Sequence, residues 1–136
     1  MKALILGGAG FIGFSLAKLL INKNFVVDII DSFSRGKKDN DLQLFLNNKR
    51  AQLIEVNITK SEPFDDIALD YDFIFHFAAV LGVDNVINNP YKVLDENILL
   101  TTNAINLAKK QKLLKKFIFT STSEIYDGTL QHNLLK

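Results

Sequence analysis

The sequence contains no cysteine among its 136 residues. The chain therefore has no disulfide framework, no thiolate metal site and no cysteine nucleophile. Its two histidines, His76 and His132, lie too far apart in the sequence to form a local ligand pair, so we expect no metal site. These absences exclude cysteine-dependent chemistry and the common zinc-binding arrangements.

The sequence also lacks an excess of charge of one sign and a long hydrophobic run. The net charge of +1 gives no basic field for nucleic acid. No run reaches the ~18–20 apolar residues of a membrane span, and no signal-peptide cleavage pattern follows the apolar start. The length and the hydrophobic content of 48% suit one globular domain. We therefore expect a cytoplasmic protein that binds neither nucleic acid nor membrane.

Strand and helix patterns alternate along the whole chain. Short apolar runs predict strands at 3–7, 25–31, 51–57, 71–79 and 117–121. Helical spacing predicts helices at 11–23, at 37–49 and over 90–110, the last opened by Pro90 after Asn88 or Asn89 as a cap. This order predicts an α/β fold, a Rossmann-type doubly wound parallel sheet of strand order 3-2-1-4-5, truncated after strand 5. A ligand is then expected beyond the carboxyl ends of the strands.

A glycine-rich stretch, GGAGFIG, follows the first predicted strand and opens the first helix. In a dinucleotide-binding turn, Gly7 permits the turn, Gly10 lets the backbone approach a pyrophosphate, and Gly13 allows the helix to pack closely. The helix N-terminus then offers unpaired amides to the phosphates. The alternative is a tight turn with no ligand.

An acidic residue, Asp31, ends the second predicted strand 18 positions after Gly13. At this spacing a carboxylate accepts hydrogen bonds from the adenosine ribose and repels a 2′-phosphate, which favours NAD over NADP. The alternative is an ordinary strand-end cap. Arg35, Lys37 and Lys38 follow closely and could soften the preference for NAD, or they could form a solvated loop.

A polar residue, Asn97, interrupts an apolar stripe of the long predicted helix. A buried amide without a partner costs on the order of 1–3 kcal/mol, so Asn97 needs a hydrogen-bond partner. That partner is either a neighbouring backbone group or a loop that lines a ligand cleft, and the sequence alone does not choose between the two.

Taken together, GGAGFIG, Asp31 in DSFSRG, HFAA at 76–79 and TSTSEIY at 120–126 resemble the extended short-chain dehydrogenase/reductases. Within that superfamily the chain is similar to the NAD-dependent nucleotide-sugar epimerases, dehydratases and decarboxylases, over most of its length. The resemblance implies that residues 1–136 are the N-terminal NAD-binding Rossmann domain. The cofactor contacts it implies are the amides of Phe11 and Ile12 at the pyrophosphate, Asp31 and Ser32 at the adenosine ribose, Asn57 and Ile58 at the adenine, Phe77, Ala78 and Ala79 at the nicotinamide half, and Asn97 as a support for these loops.

The same resemblance implies two catalytic residues. Thr122 falls on the catalytic Ser/Thr of the family, which bonds the 4-hydroxyl or 4-keto oxygen of the sugar. Glu124 falls where the dehydratases and decarboxylases carry a glutamate beside the 4-keto group. The alternatives are a strand-end hydroxyl that bonds local backbone and a solvated loop acid.

The Tyr-x-x-x-Lys pair that supplies the catalytic base of the family is absent. The residues four positions after Tyr71, Tyr91 and Tyr126 are Phe75, Asp95 and Leu130. We therefore expect a fragment that binds NAD but is not catalytically complete.

The resemblance implies oxidation at the C4 of a nucleotide sugar to a 4-keto intermediate in the complete enzyme, and a possible homodimer. Two alternatives stay open. The first is a non-catalytic Rossmann module or a subunit completed by another chain. The second is a purely structural α/β domain.

Overall fold

Five parallel strands form one sheet in the computed structural model, which describes residues 1–35, 37–60 and 67–122. The strand order is β3-β2-β1-β4-β5, and every neighbouring pair is parallel, so the predicted fold and strand order are confirmed. The strands are β1 (Lys2–Leu6), β2 (Val26–Asp31), β3 (Ala51–Glu55), β4 (Phe73–His76) and β5 (Lys116–Phe119).

Four helices occur among the described residues: α1 (Phe11–Asn22), α2 (Asn40–Leu46), α3 (Val83–Asn88) and α4 (Pro90–Lys110). α2 begins later than predicted because Asp39 caps it, its side chain accepting a hydrogen bond from the Leu42 backbone N–H at 2.9 Å. α3 falls in a stretch for which no helix is predicted. In α4, Pro90 occupies the first turn as predicted, but the Asn89 side chain makes no capping hydrogen bond.

The two faces of the sheet pack against different helices because neighbouring strand residues point to opposite sides. Ile5 of β1 lies in one core cluster with Ala17 and Ile21 of α1. Leu4 and Leu6 lie in a second cluster with Leu100, Ala104 and Leu107 of α4. The sheet is therefore covered on both faces, as a doubly wound fold requires.

The long helix α4 buries only one of its two apolar stripes. Leu100, Ala104 and Leu107 are buried, whereas another set of large apolar side chains on α4 is exposed: Tyr91, Leu94, Ile98, Leu99 and Ile105.

No helix among the described residues is long and apolar enough to cross a membrane.

The strands mostly end earlier than predicted at their carboxyl ends. β4 ends at His76, although the Phe77 backbone N–H still donates to the Leu6 carbonyl at 2.9 Å. The ladder stops there because the chain leaves β1 at Gly7, where φ is +78°. Because β4 ends at His76, residues 77–79 lie beyond the strand, at the edge of the sheet where a ligand is expected.

A polar cluster closes the opposite, amino end of the sheet. The buried Tyr71 hydroxyl donates to Asp28 Oδ2 at 2.6 Å, and Lys2 Nζ lies 3.5 Å from the same oxygen. Burial, reinforced by the hydrogen bond to Asp28, raises the pKa of Tyr71. This cluster ties β1 and β2 to the segment that precedes β4.

Candidate cofactor site at the carboxyl edge of the sheet

The segments that follow β1, β2 and β4 meet at one edge of the sheet because all strands are parallel. β1 lies between β2 and β4, so the chain reverses its direction of winding there. In doubly wound sheets this switch point is where ligands bind. The predicted cofactor residues after these strands are thereby brought to a common edge.

Gly7 and Gly13 are required by close backbone approaches. Gly7 has a positive φ, and a Cβ atom there would lie 2.7 Å from the backbone nitrogen of Ala78, at the end of β4. A Cβ atom on Gly13 would lie 2.4 Å from the Gly7 carbonyl oxygen. Both contacts involve backbone atoms, which cannot move aside as a flexible side chain can. Gly7 therefore lets the loop pass close to the residues that follow β4, and Gly13 lets α1 start directly against the loop.

Gly10 has a different environment. Its φ of −73° and ψ of 169° are available to any residue, and the nearest atom to an added Cβ would be the Gly7 carbonyl oxygen at 3.3 Å. No side chain caps α1, so side chains leave the amides of its first turn open to a ligand. Phe11, at the start of this turn, is 92% exposed. The folded chain itself does not demand a glycine at this position.

The glycine loop is pinned to the end of β2 through three consecutive amides. The N–H groups of Gly7 and Gly8 donate to the Ile30 carbonyl at 2.8 and 3.1 Å, and the Ala9 N–H donates to Asp31 Oδ2 at 3.0 Å. No role is predicted for Gly8, yet a Cβ atom there would lie 2.5 Å from the Cβ of Ile29. Backbone hydrogen bonds to the end of β2 therefore fix the conformation of the loop.

Asp31 performs the strand-end role that was one of its two interpretations. Besides the bond from Ala9, its Oδ1 accepts the Phe33 N–H at 2.9 Å. A carboxylate has about four lone-pair positions. The two backbone bonds therefore orient Asp31 and leave acceptor capacity for ribose hydroxyls. Ser32, next in the chain, is exposed, and its hydroxyl donates to Ser34 Oγ at 3.3 Å.

Of the three cations that follow Asp31, the structure fixes Lys38. Its Nζ contacts the Glu55 carboxylate at 2.5 Å and lies 5.1 Å from the centroid of the Phe33 ring. Arg35 and Lys37 are exposed. The loop therefore combines a held cation with solvated ones.

Asn97 bonds the backbone of the loop after β4 with both ends of its amide. Its Oδ1 accepts the Val80 N–H at 2.8 Å, and its Nδ2 donates to the Val80 carbonyl at 3.0 Å. The partner of Asn97 is therefore a backbone group, and it lies in the segment that continues from Ala79. Asn97 holds this segment against α4.

The segment after β3 carries Asn57 and Ile58. Asn57 is exposed, and its Oδ1 accepts hydrogen bonds from the N–H and the hydroxyl of Thr59 at 3.0 and 2.9 Å. The Ile58 side chain is buried in the core, and its carbonyl accepts a hydrogen bond from Asn103 Nδ2 at 2.7 Å. Asn103 was not predicted as a site residue, and its signal in the sequence is a second amide on the buried side of α4.

The segment after β5 carries the catalytic candidate Thr122, which is exposed. The neighbouring Thr120 hydroxyl donates to the His76 carbonyl at 3.0 Å and ties this segment to the end of β4. Glu124 lies outside the described residues. His76 itself is buried, its Nδ1 has no hydrogen-bond partner in the described chain, and burial lowers its pKa.

Comparisons with known proteins agree with this geometry. The sequence profile of the NAD dependent epimerase/dehydratase family matches residues 3–133. The chain is 36% identical over 132 residues to UDP-glucuronic acid decarboxylase 1 of Arabidopsis thaliana, covering 97% of this chain and 28% of that protein. Its structure is similar to that of the UDP-Glc/GlcNAc 4-epimerase of Campylobacter jejuni, with a TM-score of 0.80 and 29% identity over 92% of this chain and 38% of that chain.

A further similar structure is the Bordetella bronchiseptica enzyme WbmF in complex with NAD+, with a TM-score of 0.77 and 26% identity over 90% of this chain and 36% of that one. The chain thus spans between about a quarter and two fifths of the length of these relatives. The family profile nevertheless covers nearly all of it. The chain belongs to the NAD dependent epimerase/dehydratase family.

Proposed function

We propose that residues 1–136 form the NAD-binding domain of a nucleotide-sugar epimerase, dehydratase or decarboxylase. The observation that carries this proposal is the glycine loop. Its Gly7, Gly8 and Ala9 amides are held by β2, while the first turn of α1, beside Gly10, has no side-chain cap. A loop that is fixed by β2 and followed by a helix start without a side-chain cap is suited to a pyrophosphate.

The residues at this edge fit a dinucleotide. The Phe11 and Ile12 amides would bind the pyrophosphate, and Asp31 with Ser32 would bind the adenosine ribose. At the adenine end, the Ile58 carbonyl is already bonded to Asn103, so Asn57 would offer its amide and Ile58 its backbone N–H. The nicotinamide half would lie against Phe77, Ala78 and Ala79, in the segment that Asn97 supports through Val80.

The chemistry proposed for the complete protein starts with oxidation of a nucleotide sugar at C4. Bound NAD supplies the hydride acceptor for this step. The Thr122 hydroxyl would bond the oxygen on C4 and assist its proton transfer, and Glu124 would act beside the resulting ketone. A nucleotide sugar is proposed as the substrate because the similar decarboxylase and epimerase act on UDP sugars, as their names state.

Neither tyrosine in the described part of the chain is placed to act as the base. Tyr71 is buried at the amino end of the sheet and bonded to Asp28, and Tyr91 is exposed on α4. We therefore propose that the chain binds NAD but does not turn over a sugar by itself.

Self-association is a second proposal, favoured by the exposed stripe of α4. Tyr91, Leu94 and Ile98 are 83%, 58% and 53% exposed, a concentration of apolar surface that suits a homodimer. Sedimentation of the parent chain beside Ile98→Glu tests it. A dimer that the variant abolishes is expected, and a monomeric parent chain would refute it.

The test of the proposed function is calorimetric titration of the chain with NAD. The parent should bind, while Gly10→Val and Asp31→Ala should bind at least ~10-fold more weakly, a loss of ~1.4 kcal/mol. A nucleotide sugar added to the NAD complex should produce no absorbance at the wavelength of NADH. Absence of NAD binding by the folded parent would refute the cofactor assignment, and NADH formation would refute the claim of incompleteness.

A further inference from the structure

Two carboxylates lie side by side at the adenosine end of the candidate site. Asp31 ends β2, Glu55 ends β3, and the two residues are register partners in the parallel ladder. Register partners on neighbouring strands are roughly 5 Å apart and point to the same face of the sheet. A second acid therefore stands beside the residue to which the ribose contact is assigned.

A lysine of the loop after β2 contacts the second of these acids. The Phe33 N–H donates to Asp31 Oδ1, which folds the loop back, and the Phe33 ring lies 5.1 Å from Lys38 Nζ. The same Nζ contacts the Glu55 carboxylate at 2.5 Å. The side chains of Lys38 and Glu55 are each 52% exposed, so this pair is reached by solvent and by ligands alike.

This arrangement bears on the choice between NAD and NADP. The 2′-phosphate of NADP would enter beside Asp31 with nearly two negative charges, and a nearby lysine is the group that would neutralise it. Glu55 forms an ion pair with that lysine and so competes with a phosphate for it. NAD, which carries no 2′-phosphate, gains nothing from a free Lys38.

We propose that Glu55 is a specificity-determining residue that disfavours NADP by holding Lys38 away from the 2′-phosphate position. This inference rests on the proposed function, since it presumes that the adenosine ribose lies at Asp31. Glu55 lowers the affinity for NADP through its ion pair with Lys38.

The experiment measures NAD and NADP affinity by calorimetry for the parent chain and for Glu55→Gln. The variant should bind NADP about threefold to tenfold more tightly, as expected when one lysine is released from an exposed ion pair and can contact a phosphate. Its NAD affinity should stay within about twofold of the parent, because the changed charge faces no phosphate of NAD. Both side chains are half-exposed, so the substitution leaves the core intact.

Two double-mutant cycles identify the partner. In a Lys38→Gln background, Glu55→Gln should change NADP affinity by less than about twofold, because no lysine is released. In a Lys37→Gln background it should keep its full effect, because Lys37 is exposed and the ion-pair partner of Glu55 is Lys38. Lys37→Gln is the matched control, since it removes the same charge one residue earlier.

The outcomes separate this inference from the proposed function. A folded parent that does not bind NAD refutes both. A parent that binds NAD, with Glu55→Gln leaving NADP affinity unchanged, refutes the role of Glu55 alone. Equal effects of Glu55→Gln with and without Lys38 would show that Glu55 acts by its own charge, and would overturn the proposal that it acts through Lys38.

Discussion

Replacement of Gly10 by alanine tests whether this glycine is needed for ligand binding and not for the fold. The backbone at Gly10 is already in a region that alanine adopts, and the added Cβ would meet one atom, the Gly7 carbonyl oxygen at 3.3 Å. Alanine is less favourable than glycine at a helix N-cap by under ~1 kcal/mol, and it gains about 0.4–1 kcal/mol from a less flexible unfolded chain. The unfolding free energy should therefore stay within about 1 kcal/mol of the parent.

Binding should respond far more strongly than stability to Gly10→Ala. The added methyl group projects where the pyrophosphate is proposed to approach the backbone, so NAD affinity should fall at least ~10-fold, or ~1.4 kcal/mol. Urea unfolding followed by circular dichroism gives the stability, and calorimetry gives the affinity. Parent-like NAD affinity in this variant would refute the placement of the pyrophosphate at Gly10.

Gly13→Ala is the matched control because it adds the same methyl group three residues later. There the Cβ would lie 2.4 Å from the Gly7 carbonyl oxygen and 2.9 Å from the Gly8 Cα. These backbone atoms belong to a loop that β2 holds, so the overlap should cost about 3 kcal/mol of unfolding free energy. A Gly13→Ala variant as stable as the parent would show that α1 does not start directly against the loop.

Three further substitutions test the polar contacts around the sheet by urea unfolding. Tyr71→Phe should cost about 1.5–3 kcal/mol at neutral pH by leaving Asp28 without its donor. Because burial raises the pKa of Tyr71, only the unfolded chain loses this proton just above pH 10, so the parent should lose stability there as pH rises, and Tyr71→Phe should lack that component. Burial lowers the pKa of His76, so the parent should lose stability as pH falls below its ordinary value of 6.5, and an equally steep loss in His76→Phe would contradict this assignment. Asn97→Asp should cost about 1–3 kcal/mol, because a carboxylate oxygen replaces the donor to the Val80 carbonyl, and an unchanged midpoint would refute the amide clamp.

The parts of the fold that the sequence predicts are those with a local signal. Alternating apolar runs and helical stripes predict the parallel sheet and its strand order, because right-handed strand–helix–strand connections allow only a few topologies. The glycine loop and Asp31 also have a local signal in the sequence. A positive φ favours glycine, and Asp31 is an acid directly at the end of a predicted strand. The six-residue helix α3 escaped prediction because it is too short to show a helical period.

The missed features depend on residues far apart in the chain. Asn103 bonds the Ile58 carbonyl 45 positions away, and Glu55 meets Lys38 17 positions away, so neither contact has a local pattern. The two apolar stripes of α4 read alike in the sequence, and only the position of the sheet decides which one is buried. The end of β4 at His76 likewise depends on where its neighbour β1 stops, at Leu6.

The central claim is that the first turn of α1 binds the pyrophosphate of NAD, and amide chemical shifts test it most directly. Titration of the ¹⁵N-labelled chain with NAD should move the amide signals of Gly10, Phe11 and Ile12 most. Lys18 and Asn48, on the surface groove between α1 and α2, provide reference amides that should hardly move. Shifts that are largest at those reference amides, or that are absent at saturating NAD, would contradict the account.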